Sequence, residues 1–347
     1  MEIFAKTGVH ALVDGQFGST GKGLYASYLA ATAHGLGIQF DATISNAGPN
    51  SGHTFYHEGE KHVLKQLPTF AVKTSLLGEP SYAFLSAGAI IDVDILRKEA
   101  EKYPHVSLMV HPNAAVISPD DREAEQGGSI AAVAGTRSGT GSAVARKVFR
   151  ERNAVWGEGG HIDRKMPKNV VTKRVESMIA PAHLRYFMEV SQGFSLGLNS
   201  EFYPKVTSRE CTVMQGIADA RIAPRYVTRT FMVARTFPIR VGNVDGFSSG
   251  EHYEDQQEVD WATLGVDPEL TTVTQRVRRV FTFSRRQYEE AIHANAPDFI
   301  LMNFMNYLKK DKVVGFADMV KVVAQGIVPD VQLMYGWGPH DSDITPF

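Results

Sequence analysis

Val9-His10-Ala11-Leu12-Val13-Asp14-Gly15-Gln16-Phe17-Gly18-Ser19-Thr20-Gly21-Lys22-Gly23 begins as an apolar run and ends in a glycine-crowded turn around one lysine. A short buried strand that feeds such a turn and then a helix, expected over Leu24 to Ala33, points backbone N–H groups at a phosphate. The match to the ordinary phosphate loop is incomplete. That loop wants Gly, four residues, Gly-Lys, then Ser or Thr. Here Gln16 occupies the first glycine position, Gly15 comes one residue early, and Gly23 replaces the hydroxyl that would hold magnesium. The competing reading is a Gly-rich turn with a surface lysine. Gly18, Gly21 and Gly23 gathered round Lys22, directly behind a strand, favour the phosphate site.

Outward from this turn the first third alternates short apolar runs with helical patterns. Phe40 to Ser45 reads as a strand, and Thr54 to Tyr56 with His62 to Leu64 reads as a hairpin about Glu58-Gly59-Glu60. Ala83 to Leu85 and Ala89 to Asp92 are short apolar segments, Asp94 to Tyr103 is an amphipathic helix, and Val106 to Val110 is a buried strand. Near the end, Arg285 to Ala294 and Phe316 to Gln325 read as helices, with Phe299 to Asn303 and Val331 to Tyr335 as strands. This alternation predicts an α/β protein with a mainly parallel central sheet flanked by helices. The middle is less regular: Gly135 to Gly141 marks a loop, a basic helix follows over Ala143 to Arg152, and 193–215 has few periodic features. No repeat, low-complexity tract or linker interrupts the chain. The expectation is one domain over 1–347 with a long irregular insertion around 113–240.

Composition sets limits on function. Over 347 residues, 43% hydrophobic content is ample for a large core, and a formal charge of −2 gives no global attraction to nucleic acid or an acidic membrane. An anion must be captured by local basic groups. Cys211 is the only cysteine, which excludes a disulfide within the chain and a Cys-rich metal site. No leader pattern or long apolar run is present, so a soluble protein of a reducing cytoplasm is expected.

A second constellation follows the second strand: Asn46-Ala47-Gly48-Pro49-Asn50-Ser51-Gly52-His53-Thr54. A lone histidine is usually structural. This one follows a tight Gly/Pro/Asn loop at the carboxyl end of a strand, where open α/β sheets place ligands. There His53 can protonate or hydrogen-bond a phosphoryl oxygen, and the Gly52 carbonyl can meet a magnesium ion.

Gln16 to Gly23 together with Asn50-Ser51-Gly52-His53-Thr54 resembles adenylosuccinate synthetase. Matching segments continue through most of the chain: Gly135-Thr136 with the Lys147/Arg150 helix, Ser191-Gln192-Gly193, Tyr203 to Ser208, Arg240-Val241-Gly242-Asn243, Thr274 to Arg279, and Trp337-Gly338-Pro339. The resemblance implies an adenylosuccinate-synthetase-like fold and a ligation in two steps. The 6-oxygen of a purine nucleotide attacks the γ-phosphate of a triphosphate, and the amine of L-aspartate then displaces phosphate. Such catalysis is mainly positioning and charge neutralisation.

The resemblance also implies the site. Ser19, Lys22, His53 and Gln192 would be catalytic: Lys22 for β/γ-phosphate charge, His53 as acid on the transferred group, Gln192 at the purine 6-position. Ser19, Asn50, Thr136, Gln192 and Thr207 would contact the mononucleotide, joined by Arg150 from a neighbouring subunit, which implies a homodimer. Gln16, Gly18, Thr20, Gly21, Lys22, Gly23, His53 and Thr54 would line the triphosphate, with Asn303, Asn306, Gly336, Gly338 and Pro339 at its far end. Val241, Thr274, Arg276 and Arg278 would hold aspartate, the arginine forks suiting its carboxylates. Mg²⁺ would sit near Ser19 and the Gly52 carbonyl. Without the resemblance, Arg276 to Arg279 would read as a solvated basic strand or a weak nucleic-acid patch.

Two departures carry the substrate reading. The ordinary family loop has Gly-Asp-Glu-Gly-Lys-Gly, and here Ser19 replaces the aspartate that acts as general base at purine N1 and as magnesium ligand. Shrinking the acid to serine frees room beside purine position 2 for an exocyclic amino group, and the hydroxyl can accept a hydrogen bond from it. The substitution resembles a viral branch of the family that joins aspartate to dGMP, giving N6-succino-2-amino-2′-deoxyadenylate, a precursor of 2-aminoadenine in phage DNA. Host cytoplasm would then be the place of action. With the acid gone, the base at guanine N1 is unidentified; Asp14 is a weak candidate, or only a structural residue. The second departure is Asn306 where GTP-using relatives have aspartate, with Phe304 at the lysine position. An amide offers one donor and one acceptor, which suits adenine, so ATP or dATP is expected as donor. The alternatives are an ordinary synthetase using IMP and GTP, a nucleotide kinase, and a nucleotide-binding regulatory module without chemistry.

Overall fold

All seven residues of Gly8–Asp14 are buried, so this strand must be covered on both faces. The computed structural model, which describes residues 2–5, 7–127, 135–158, 166–174, 182–244, 246–271 and 275–346, shows how. Gly8–Asp14 lies inside a ten-stranded sheet, parallel to Arg185–Glu189 on one side and Val227–Arg235 on the other. Beyond Arg185–Glu189 come Ala42–Ser45, Ser81–Leu85, Val106–Val110 and Val170–Thr172; beyond Val227–Arg235 come Phe299–Asn303, Gln332–Gly336 and Ile344–Pro346. Only the last of these pairs antiparallel.

Side chains alternate across the sheet with period two. Val9, Ala11 and Val13 pack with Tyr288, Ala291 and Ile292 of helix Arg285–Asn295 and with Val320 and Ala324 of helix Lys310–Ile327. Leu12 faces the other way, against Leu24, Tyr25 and Leu29 of helix Lys22–Gly35. A separate core joins helix Thr69–Leu76 and helix Val93–Lys102 to Ser81–Leu85 and Val106–Val110. The architecture is the expected one: a large, mostly parallel sheet with helices on both faces.

The stretch expected as an irregular insertion, 113–240, is arranged differently. It supplies Arg185–Glu189 and Val227–Arg235, the two immediate neighbours of Gly8–Asp14, along with the edge strand Val170–Thr172. The centre of the sheet is thus built from the chain's middle. A small antiparallel sheet, ordered Ile239–Arg240, Arg279–Phe281, Glu258–Val259, sits apart. Among the described residues no helix is long and apolar enough to cross a membrane.

Parallel strands bring Asp14, Ser45, Glu189, Arg235 and Asn303 to one rim of the sheet. At that rim helix Lys22–Gly35 presses its first turn on the hairpin His53–His57/Glu60–Leu64. A Cβ on Gly23 would lie 2.6 Å from the Thr54 carbonyl oxygen and 2.8 Å from its nitrogen. Only glycine permits the approach. Gly23→Ala is therefore expected to destabilise the fold by roughly 1–3 kcal/mol, the usual range for overpacking, despite alanine's better helix propensity. Urea unfolding of the two proteins measures it; equal midpoints would contradict the close contact.

Candidate active site

Asp14 shapes the turn. Its Oδ1 accepts from the Gln16 and Gly18 amides at 3.0 and 3.3 Å, and its Oδ2 accepts from the Thr20 amide and hydroxyl at 3.4 and 2.6 Å. Gly18 and Gly21 have φ of 87° and 100°, and Ser19 between them has 55°. The turn ends on the N-terminus of the 14-residue helix Lys22–Gly35, which no side chain caps. An open helix N-terminus beside a lysine is a site for an anion.

A cleft of about 1030 Å³ opens over this turn. Gly18, Ser19, Gly21, Lys22 and Gly23 line it, as do Asn50, Gly52, His53, Thr54, Thr136, Gln192, Thr207, Val241, Arg276, Arg278, Asn303, Asn306, Gly338 and Pro339. Most of the residues chosen from sequence therefore meet in one place. Lys22 donates to the Gln192 carbonyl at 2.6 Å, and the Gln192 amide donates to Asn50 Oδ1 at 2.9 Å. Ser19 is exposed to the cleft, and its hydroxyl has no partner among the described residues.

Four positions lie elsewhere, and a fifth is outside the described residues. Gln16 is buried, its amide clamped between the Arg235 N–H and carbonyl at 2.9 and 3.1 Å. Thr20 is buried with its hydroxyl on Asp14, and Gly336 is packed against Asn303. These three hold the turn from behind and do not line the cleft. Arg150 caps the basic helix Thr140–Phe149, exposed and away from this chain's own cleft, next to Phe149, which is 76% exposed. Thr274 lies outside the described residues. Asn303, at the cleft wall, spends its amide on the Thr20 carbonyl (3.1 Å) and the Phe304 N–H (2.9 Å).

The carboxylates around the cleft are all engaged. Asp14 holds the turn, Glu125 accepts from the Gly139, Gly141 and Ser142 amides, and Glu269 pairs with Arg235. Asp14, although it reaches the cleft, accepts from four donors of its own turn. No cluster of three or more His, Cys, Asp or Glu suited to a metal occurs among the described residues. Burial lowers the Lys22 pKa, and burial first, then the nearby Lys22 ammonium, pushes His53 down to about 3. The Arg278 guanidinium is lowered to about 10, chiefly by burial. A cleft lined by buried Lys22, by half-buried Arg276 and Arg278 and by a neutral histidine is poised for anionic ligands.

Sequence reasoning missed Arg235, Glu269 and Arg240. Arg240 is 3% exposed and lies across Phe17 of the turn, 4.5 Å from its ring centroid, while donating to the Lys205 and Ser249 carbonyls. A charge closing an apolar strand, as Arg235 does after Phe231-Met232-Val233-Ala234, was the available signal, since such a charge needs a partner.

Fold and cleft together define a nucleotide-dependent α/β enzyme with a modified phosphate turn. The adenylosuccinate synthetase family model matches residues 11–179 and 161–324. The chain belongs to the adenylosuccinate synthetase family. It is 36% identical over 346 residues to the N6-succino-2-amino-2′-deoxyadenylate synthase of Vibrio phage phiVC8, covering 97% of each chain. Among solved structures it is similar to the succinoaminodeoxyadenylate synthetase of cyanophage S-2L bound to dGMP and to dATP as energy donor. That likeness has a TM-score of 0.85 and 33% identity, and covers 98% of this chain and 95% of the other. The fully ligated adenylosuccinate synthetase of Plasmodium falciparum shares the fold, with a TM-score of 0.76, 16% identity, and coverage of 98% and 100%.

The His53 shift fixes a sign for stability. Its ordinary pKa of 6.5 falls to about 3 on folding, so the folded protein binds fewer protons between those values. The stability tied to this group is complete above pH 6.5 and is lost as pH falls toward 3. Relative to His53→Gln, wild type should lose melting temperature progressively from pH 6.5 to 3. Parallel melting curves for the two proteins across that range would refute it.

Proposed function

We propose that the protein ligates L-aspartate to C6 of dGMP, with ATP or dATP as phosphate donor, through a 6-phosphoryl intermediate. The products are N6-succino-2-amino-2′-deoxyadenylate, ADP or dADP, and phosphate. One observation carries the choice of purine: Ser19, exposed on the cleft that Gln192 and Asn50 also line, puts a small unpartnered hydroxyl where the ordinary family loop has an acid. That leaves space for the guanine 2-amino group and an acceptor for it. The naming of relatives over nearly the whole chain supports the same reading.

In this mechanism Lys22 and the uncapped N-terminus of helix Lys22–Gly35 hold the β/γ-phosphates, the Gln16, Gly18 and Thr20 amides being spent on Asp14. Gln192 holds the purine 6-oxygen in line with the γ-phosphorus; bond formation there releases the diphosphate. The aspartate amine then attacks C6, and inorganic phosphate leaves with the original 6-oxygen. Arg276 and Arg278 orient the amino acid by its carboxylates. Burial is the larger cause of the low His53 pKa and the Lys22 ammonium the smaller; a triphosphate beside Lys22 offsets the second and moves His53 toward the protonated form needed as acid. Ser19 Oγ and the Gly52 carbonyl are hard oxygen donors on the cleft, and these two residues would hold Mg²⁺ beside the substrate phosphates. When bound, that ion neutralises phosphate charge. Asn306, exposed at the donor end with Gly338 and Pro339, offers its amide to adenine. Arg150 would complete the mononucleotide site of a second subunit in a homodimer.

A substrate matrix of dGMP, GMP and IMP against ATP, dATP and GTP, with phosphate release as readout, tests this reading. Turnover should need a guanine mononucleotide, an adenine triphosphate and aspartate together; turnover with IMP and GTP alone would overturn it. His53→Ala should lower kcat by about 10²–10⁴ while sparing nucleotide binding. Ser19→Asp should shift preference from dGMP toward IMP, and an unchanged ratio of kcat/KM values would remove Ser19 from substrate choice.

A further inference from the structure

Arg235 ends the strand Val227–Arg235 and is completely buried. The sheet thus delivers a full charge beneath the cleft, where no water solvates it. Its Nη1 donates to the Ser19 carbonyl at 3.0 Å and to Glu269 Oε2 at 3.2 Å, and Nη2 closes the fork on Glu269 Oε1. The guanidinium carbon stands 3.8 Å from the Phe304 ring centroid. Glu269 lines the cleft, accepts from the Tyr307 hydroxyl at 3.1 Å, and offers its carbonyl to the Arg278 N–H at 2.9 Å.

These contacts touch each end of the cleft. Ser19 presents the mononucleotide edge, Phe304 borders the donor end, and Glu269 carries the backbone of Arg278 at the aspartate end. Ser19 also needs support, because φ of 55° places a residue with a Cβ in the left-handed region. The guanidinium bond to its carbonyl supplies that support. Lysine cannot substitute: a compact ammonium does not fork a carboxylate, reach a carbonyl and lie flat on a ring together.

We propose that Arg235 is a positioning residue that sets the Ser19 backbone against the aspartate-side segment, and thereby governs both the choice of purine and the grip on the amino acid. The proposal rests on the dGMP reading above. Arg235 does not line the cleft and touches no substrate; it acts through Ser19 and Glu269.

Three variants test it: Arg235→Lys, the charge-neutral pair Arg235→Met/Glu269→Gln, and Glu269→Gln alone. Arg235→Met by itself strands the Glu269 carboxylate and Glu269→Gln by itself strands the completely buried guanidinium, so either can fail to fold; the paired change removes both charges. Thermal melts report folding; the readouts are the dGMP-to-IMP ratio of kcat/KM and the KM for aspartate. In the paired variant the ratio should fall and the aspartate KM rise by about tenfold or more, the scale of a small misplacement in a positioned site. Arg235→Lys should recover little and Glu269→Gln should fall between. Cooperatively melting variants with wild-type ratio and wild-type aspartate KM would overturn the proposal. A wild-type protein inert toward dGMP and aspartate would instead remove the reading beneath it.

Discussion

The Asp14 carboxylate, with four donors from the turn that follows it, is the constraint on which the site depends. Charge-assisted bonds of this kind are about twice as strong as neutral ones, and here they converge on one side chain at the end of a fully buried strand. They pull the Gln16, Gly18 and Thr20 amides inward, so the chain must turn back through left-handed conformations at Gly18, Ser19 and Gly21. That reversal leaves the Ser19 side chain outside and starts the helix with Lys22 at the mouth of the cleft.

The same division of labour runs through the cleft. Its carboxylates are committed to holding backbone or to pairing with a buried arginine, while Lys22, Arg276 and Arg278 line the space. A chain with a net charge of −2 thereby presents a locally cationic surface. Field focusing of this sort attracts phosphate without making the whole protein bind polyanions.

Local features were legible in the sequence. Val106–Val110 and Phe299–Asn303 appear with the bounds read from their apolar runs, and the hairpin, turn and flanking helices stand where turn chemistry and periodicity put them. Helix Lys310–Ile327 begins earlier than read, because Lys310-Asp311-Lys312 is charged and exposed and Gly315 interrupts the pattern before Phe316. Arg185–Glu189 and Val227–Arg235 were hidden for a different reason. Each mixes charged residues into a short apolar run, and its place beside Gly8–Asp14 is set by tertiary pairing across more than a hundred residues. The cleft residues came from motif order. Gln16 and Thr20 escaped because a sequence shows that a polar side chain is near a turn but not which side of the turn it serves. Arg235 and Glu269 are 34 positions apart, and nothing local links them.

The strand Ile344–Pro346 is the sheet's one antiparallel member and lies at its outer margin. Proline has no N–H to offer, so the border it forms is a poor template for a further strand. Uncontrolled stacking of sheets from separate molecules is thereby discouraged on that flank.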